Sequence, residues 1–322
     1  MRLFTLFISI ALIPTPAFAK INITTRNTAS TEECYVHQSQ VKALYCIDRG
    51  SEANVSAANG STEQPDVIYH FHGSGGSERL WFDKFFYTAQ IRSYWQQMKV
   101  AKPTVVSVSI DFTELIPQLG QRWLLVPSDE KSPLSGLLPF FKFELMPEIE
   151  SRLGYKPKTR TVFGESMGGY NATQVALNSS ALFDKVAIIC APLAESVDHF
   201  STAEEVLNYS KSTLAWGYYE SRNSSLVTES LTNAFQIARA FMSTKEFAAR
   251  ANPLSQAKTT ITALLPKLYV TAGAHDSYLS YEGSERLVEI LKSRGVTDIE
   301  WRPLWGGHCV VDVPSLAQFL VE

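Results

Sequence analysis

The sequence predicts an α/β fold built on a mostly parallel sheet, and three features carry that expectation. Short β-branched or apolar runs alternate with segments of helical periodicity over most of the chain. Strands that alternate with helices connect by right-handed crossovers, which cover both faces of a sheet. The 322 residues are 45% hydrophobic and include 6 Trp, 13 Tyr and 18 Phe, enough apolar surface for one sizeable core and too much for a disordered chain. No internal repeat or low-complexity tract interrupts the pattern.

Two short alternating runs, 33–38 and 42–48, predict an N-terminal hairpin within residues 30–50 that turns near Gln40. A polar connector at 54–64 leads into a strand at 66–72, a Gly cluster and a helix over 81–98. Further strands are expected at 104–112, 159–163, 185–190, 267–272 and 299–304. The helices between them fall at 136–153, broken by Pro139 and Pro147, at 170–178, and at 281–294, stopped by Gly295. Residues 195–266 are too many for a simple crossover. Their helical periods, around 203–209 and 226–246, predict a helical insertion that caps the C-terminal edge of the sheet before the penultimate strand.

Residues 1–19 have the three-part layout of a secretory signal peptide: Arg2, an apolar run from Leu3 to Ile13, then Pro14, Pro16 and a small-residue site ending at Ala19. Cleavage after Ala19 would leave Lys20 as the first residue of a secreted or periplasmic protein. The apolar run is about half the roughly 20 residues a spanning helix needs, so stable membrane insertion is not expected. Export also permits disulfides. Cys34 and Cys46 are equidistant from Gln40 and would face each other across the hairpin, where a bridge is geometrically plausible. Cys190 and Cys309 are left either to pair or to stand as separate buried thiols. Sequons such as those at Asn54, Asn171 and Asn223 read as chance.

The formal net charge is -3, with neither sign in long blocks, so nothing marks a nucleic-acid or anionic-membrane surface. H-x-x-x-H, C-x-x-C and H-E-x-x-H spacings are all missing, which argues against a metal. The Gly-rich stretch after the 66–72 strand fits neither dinucleotide nor P-loop spacing, so no nucleotide and no other cofactor is expected.

The sharpest chemical signal is Gly164-Glu165-Ser166-Met167-Gly168, placed where a strand should end and a helix begin. Small residues two before and two after Ser166 allow a sharp turn that exposes its hydroxyl. A serine hydroxyl is a weak nucleophile alone and needs a base, itself oriented by a third group. His308, in Trp305-Gly-Gly-His-Cys309 just past the last strand, can swing over the sheet edge. Asp276, in Gly273-Ala-His-Asp276, leaves the preceding strand and is the expected acid, with Asp198 and Asp312 as rivals. His275 reads as a local hydrogen-bonding residue. Negative charge developing on a carbonyl oxygen needs preorganised donors. His72-Gly73-Ser74-Gly75-Gly76 supplies a candidate loop, so the Ser74 and Met167 N–H groups are assigned that role, with Gly75 as the substitute for Ser74. Trp81, Phe82, Trp95, Trp123, Trp216, Tyr218 and Tyr219 could line a groove for a sugar or phenolic group, although such residues are more often simply core.

The HGSGG loop, the GESMGG turn, Gly-Ala-His-Asp and Gly-Gly-His together resemble the esterase D and feruloyl-esterase-like branch of the α/β-hydrolase superfamily, from about Asp66 to the C-terminus. The resemblance implies an α/β-hydrolase fold, cofactor-free hydrolysis of carboxylic esters, and the chain order nucleophile Ser166, acid Asp276, base His308. The substrate would be a small-molecule or polysaccharide-linked ester. Two other readings stand beside it: a peptidase of the prolyl-oligopeptidase type, and a binding protein that keeps the fold without turnover.

Overall fold

The computed structural model describes residues 32–50, 65–129, 134–194, 203–211, 213–219, 224–242, 244–278 and 280–322. The leader at 1–19, the connector at 54–64 and Asp198 lie outside them. Eight strands form one sheet: β1 (Glu32–Gln38), β2 (Lys42–Asp48), β3 (Val67–Phe71), β4 (Thr104–Asp111), β5 (Arg160–Glu165), β6 (Lys185–Ile189), β7 (Lys267–Gly273) and β8 (Ile299–Leu304). Their order is β1-β2-β4-β3-β5-β6-β7-β8. The hairpin β1–β2 and the pair β2–β4 are antiparallel, and all other pairs are parallel. This is the α/β architecture on a mostly parallel sheet that the alternation of strands and helices predicts.

The central strands are apolar on both faces because helices cover both. Val106, Val108, Val162, Ile188 and Val270 point into one core with the helices Met146–Leu153, Met167–Asn178 and Ser280–Ser293. Ile68, Val105, Phe163 and Ile189 face the other way, onto the helices Tyr87–Gln97 and Val313–Val321. Among the described residues no helix is long and apolar enough to cross a membrane.

Local structure departs from expectation at two places. The segment 81–98 is not one helix: a short turn of 3-10 helix, Leu80–Phe82, precedes the helix Tyr87–Gln97. Conversely, Pro139 and Pro147 do not break the run that begins at Leu137. Pro139 lies in the first turn of Leu137–Phe140, where its missing N–H would have no intrahelical partner anyway. Pro147 follows a wider π turn, Phe141–Leu145, so its missing donor falls where the hydrogen-bond register already changes, and Met146–Leu153 continues the helix.

Among the described residues the expected aromatic side chains are mostly core and form no groove. Trp81, Trp95 and Trp123 are essentially fully buried, each with its indole N–H satisfied internally: by the Asp48 carboxylate, the Ala317 carbonyl and the His72 imidazole. A buried Trp is stable in a core once that single donor has a partner. Neither Phe82 nor Trp216 lines the cavity described below, and the side chains of Tyr218 and Tyr219 lie outside the described set.

At the sheet edge, Cys34 and Cys46 are direct register partners and form a disulfide. The bond closes a loop of 12 residues, which restricts the unfolded chain. Replacing both cysteines by serine should lower stability by about 2–3 kcal/mol, read as a lower urea midpoint with a slope that does not fall, since the unfolded chain is freed from its cross-link.

Candidate active site

The chain leaves β3 toward β4 on one side and leaves β5 toward β6 on the other, yet β3 and β5 are neighbours. Such a reversal opens a crevice at the carboxyl ends of the strands. The Gly-rich loop after β3 and the Ser166 turn after β5 meet there. Their approach is very close: a Cβ on Gly168 would sit 1.9 Å from the Phe71 carbonyl oxygen, so only glycine fits.

Ser166 has φ 55° and ψ -118°, a conformation L-residues rarely adopt, and the helix Met167–Asn178 starts immediately after it. Periodicity alone placed that helix start at 170, because Gly168 and Gly169 carry no apolar signal. β7 ends at Gly273, and Asp276 follows, only 1% exposed. β8 ends at Leu304, and the short loop beyond it carries His308 back over the sheet.

These three residues form an unbroken hydrogen-bond chain. The Ser166 hydroxyl lies 2.9 Å from His308 Nε2, and His308 Nδ1 donates to Asp276 Oδ2 at 2.8 Å. The other Asp276 oxygen accepts the Tyr278 N–H at 2.8 Å, and the Tyr278 ring packs 4.4 Å from the His308 ring. The rival Asp312 is occupied elsewhere: it caps the helix Val313–Val321 and pairs with Arg302. His275 packs edge-on to Trp305, with ring centroids 4.2 Å apart.

A second disulfide joins Cys190, just past β6, to Cys309, beside His308. Cys190 Sγ also accepts the Ser166 N–H at 3.1 Å, so the loop bearing His308 is tied next to Ser166. Cys190, His308 and Cys309 present potential metal-ligand atoms close together, but both sulfurs are bonded to each other and both His308 nitrogens are engaged.

Two buried networks hold the Gly-rich loop, and sequence reasoning missed both. Glu165, the residue between glycine and serine in the motif, is 2% exposed. Its carboxylate accepts the Gly73 N–H at 2.9 Å, the Tyr87 hydroxyl at 2.9 Å and His70 Nε2–H at 3.1 Å. The second network centres on His72. The Trp123 indole N–H can only donate, so His72 Nε2 must accept from it and from Ser109, while Nδ1–H donates to the Gly73 carbonyl at 2.8 Å. This fixes the neutral tautomer. Burial pushes the His72 pKa down to about 4, in agreement. The Gly76 N–H returns to the Gly73 carbonyl, closing a turn with Ser74 and Gly75 at its centre and Gly75 at φ 88°.

Ser166 and His308 open onto a cavity of about 670 Å³. Ser74, Met167 and Tyr170 line one side. Leu231, Ile237 and Met242, from the helix Ser224–Phe241 and its exit, line another.

The Esterase family model matches residues 52–286, more than half of the chain. The chain belongs to the Esterase family. This esterase is thus a carboxylic ester hydrolase, as the motifs implied, and the matched span includes Ser166 and Asp276. Among solved structures it is similar to a ferulic acid esterase, at 16% identity and a TM-score of 0.60 over 92% of this chain and 98% of that one. It is also similar to an S-formylglutathione hydrolase from Agrobacterium tumefaciens, at 16% identity and TM-score 0.59, covering 93% and 96%. A third likeness is to FphF, a fluorophosphonate-binding serine hydrolase of Staphylococcus aureus, at 11% identity and TM-score 0.52, covering 91% and 99%. No curated protein sequence matches the chain. At these identities the structural likenesses establish the α/β-hydrolase fold.

Because the folded His72 has a lowered pKa, the unfolded chain binds more protons between pH 6.5 and about 4. The stability contributed by neutral His72 is therefore present above pH 6.5 and lost as pH falls toward 4. His72→Gln should flatten the pH dependence of urea unfolding in that window, by at most about 1.4 kcal/mol per pH unit.

Proposed function

We propose that the protein is an exported serine esterase that works through an acyl-enzyme, with Ser166 as nucleophile, His308 as base and Asp276 as orienting acid. The observation that carries this reading is the continuous hydrogen-bond chain from the Ser166 hydroxyl to the buried Asp276 carboxylate, set in the wall of a cavity. The Ser166 oxygen attacks the ester carbonyl as His308 Nε2 takes its proton, and Asp276 stabilises the resulting imidazolium. The tetrahedral oxyanion is met by the Met167 N–H, at the positive end of the helix Met167–Asn178, and by the turn at Ser74 and Gly75. Neither the Ser74 nor the Gly75 N–H donates to another backbone group among the described residues. His308 then returns the proton to the departing alcohol. Water repeats the sequence on the acyl-serine, releasing the acid and restoring Ser166.

The described residues between 203 and 266 act as a cap over this site. Leu231, Ile237, Met242 and Ala248 supply apolar wall, and the cavity falls in the size range that holds a small-molecule ester. The disulfides and the leader-like residues 1–19 support export.

A fluorophosphonate probe should label the wild type and leave Ser166→Ala unlabelled. Ser166→Ala and His308→Ala should each lower kcat by several orders of magnitude, with the double variant no worse than either. Asp276→Asn should cost roughly 10³- to 10⁴-fold, and Asp312→Asn little. Near-normal turnover in Ser166→Ala or His308→Ala would remove the assignment. Expressed in an exporting host, the mature protein should begin at Lys20 by N-terminal sequencing; an intact Met1 on recovered protein would contradict export through this leader.

A further inference from the structure

Among the described residues that line the cavity, Arg122 is the one Lys, Arg, Asp or Glu. Its guanidinium makes two bonds, both to neutral acceptors: Nε to the Ser74 hydroxyl at 3.1 Å and Nη1 to the Gln118 carbonyl at 2.9 Å. It pairs with no carboxylate among the described residues. Arg49, Arg79, Arg152, Arg160, Arg286 and Arg302 each do. A guanidinium has five N–H donors, so three remain available.

The backbone that follows Arg122 is held in place. Next to it, the Trp123 N–H donates to Met167 Sδ at 3.2 Å, and the Trp123 carbonyl and Leu125 N–H are both taken by the Asn171 amide. Arg122 therefore stands between the Gly-rich loop and the residue that follows Ser166. It is exposed to the cavity mouth, and Ile116, Leu119, Leu124, Leu231 and Ile237 make the surrounding wall apolar. An uncompensated, preorganised fork in a mostly apolar cleft matches a carboxylate joined to the scissile ester by an apolar spacer.

We propose that the preferred substrates are esters bearing a free carboxylate, and that Arg122 binds that carboxylate. The proposal rests on the esterase reading of Ser166 and names the substrate class of that site.

Two matched pairs of esters test it. In the first the charge is on the acyl side: the 4-nitrophenyl monoester of adipic acid against 4-nitrophenyl hexanoate. In the second it is on the alcohol side: 4-acetoxybenzoate against 4-acetoxybenzamide. For at least one pair, the ratio of kcat/KM for the charged over the neutral ester should fall about tenfold in Arg122→Gln and recover partly in Arg122→Lys. The same ratio in the wild type should shrink in about 0.5 M NaCl, since an exposed cation is screened. This salt arm needs no variant to fold. Ratios for both pairs that stay within twofold across wild type, Arg122→Gln and added salt would overturn the proposal. Absence of any Ser166-dependent turnover of the neutral esters would instead count against the esterase reading itself, so the two failures are distinguishable.

Discussion

One hydrogen bond, from the Gly73 N–H to the buried Glu165 carboxylate, joins two loops built 92 residues apart in the chain. Everything at the site depends on this joint. It sets the turn that carries Ser74 and Gly75 against the turn that carries Ser166. A carboxylate in a dry interior is costly unless its lone pairs are filled, and here Gly73, Tyr87 and His70 fill them. The absent side chain of Gly168 allows the same approach sterically. Close contact of the two backbones and a satisfied buried charge are two halves of one constraint.

Two further buried groups at the site are paired and fixed: His72 between Trp123, Ser109 and Gly73, and Asp276 between His308 and Tyr278. His308, by contrast, keeps 26% of its side chain accessible and lines the cavity. Paired polar groups are concentrated around Ser166 and His308, while the opposite wall of the cavity is made of helices inserted between β6 and β7.

How much of this is legible in the sequence depends on the range of the interaction involved. Strand–helix alternation and the glycines around Ser166 are local patterns, and they specify the sheet and the elbow. His308 and Asp276 are legible because each follows a strand end, so parallel topology carries them to the same edge. Glu165 is silent in the sequence, since its position in the motif tolerates any residue and its partners Gly73, Tyr87 and His70 are distant. Arg122 is equally silent: it sits in a loop with no motif, and only the folded backbone shows that it faces a cavity without a counter-ion. The tryptophans mislead for the opposite reason. Aromatic composition suggests a binding groove, but whether an indole is buried depends on finding one acceptor, such as Asp48 for Trp81, through the tertiary fold. The unbroken helix through Pro147 likewise turns on a register change that propensity does not reveal.

The bond between Cys190 and Cys309 spans 119 residues and so closes a covalent ring. Every residue of the inserted helices, Asp276 and His308 lie inside that ring, while Ser166 lies on the segment that enters it. A protease that cuts the backbone once within the ring leaves no fragment free to diffuse away. The nicked molecule remains a single covalent unit, with Ser166, Asp276 and His308 still linked. The stretch that carries the inserted helices, Asp276 and His308 is therefore one that can survive a cut.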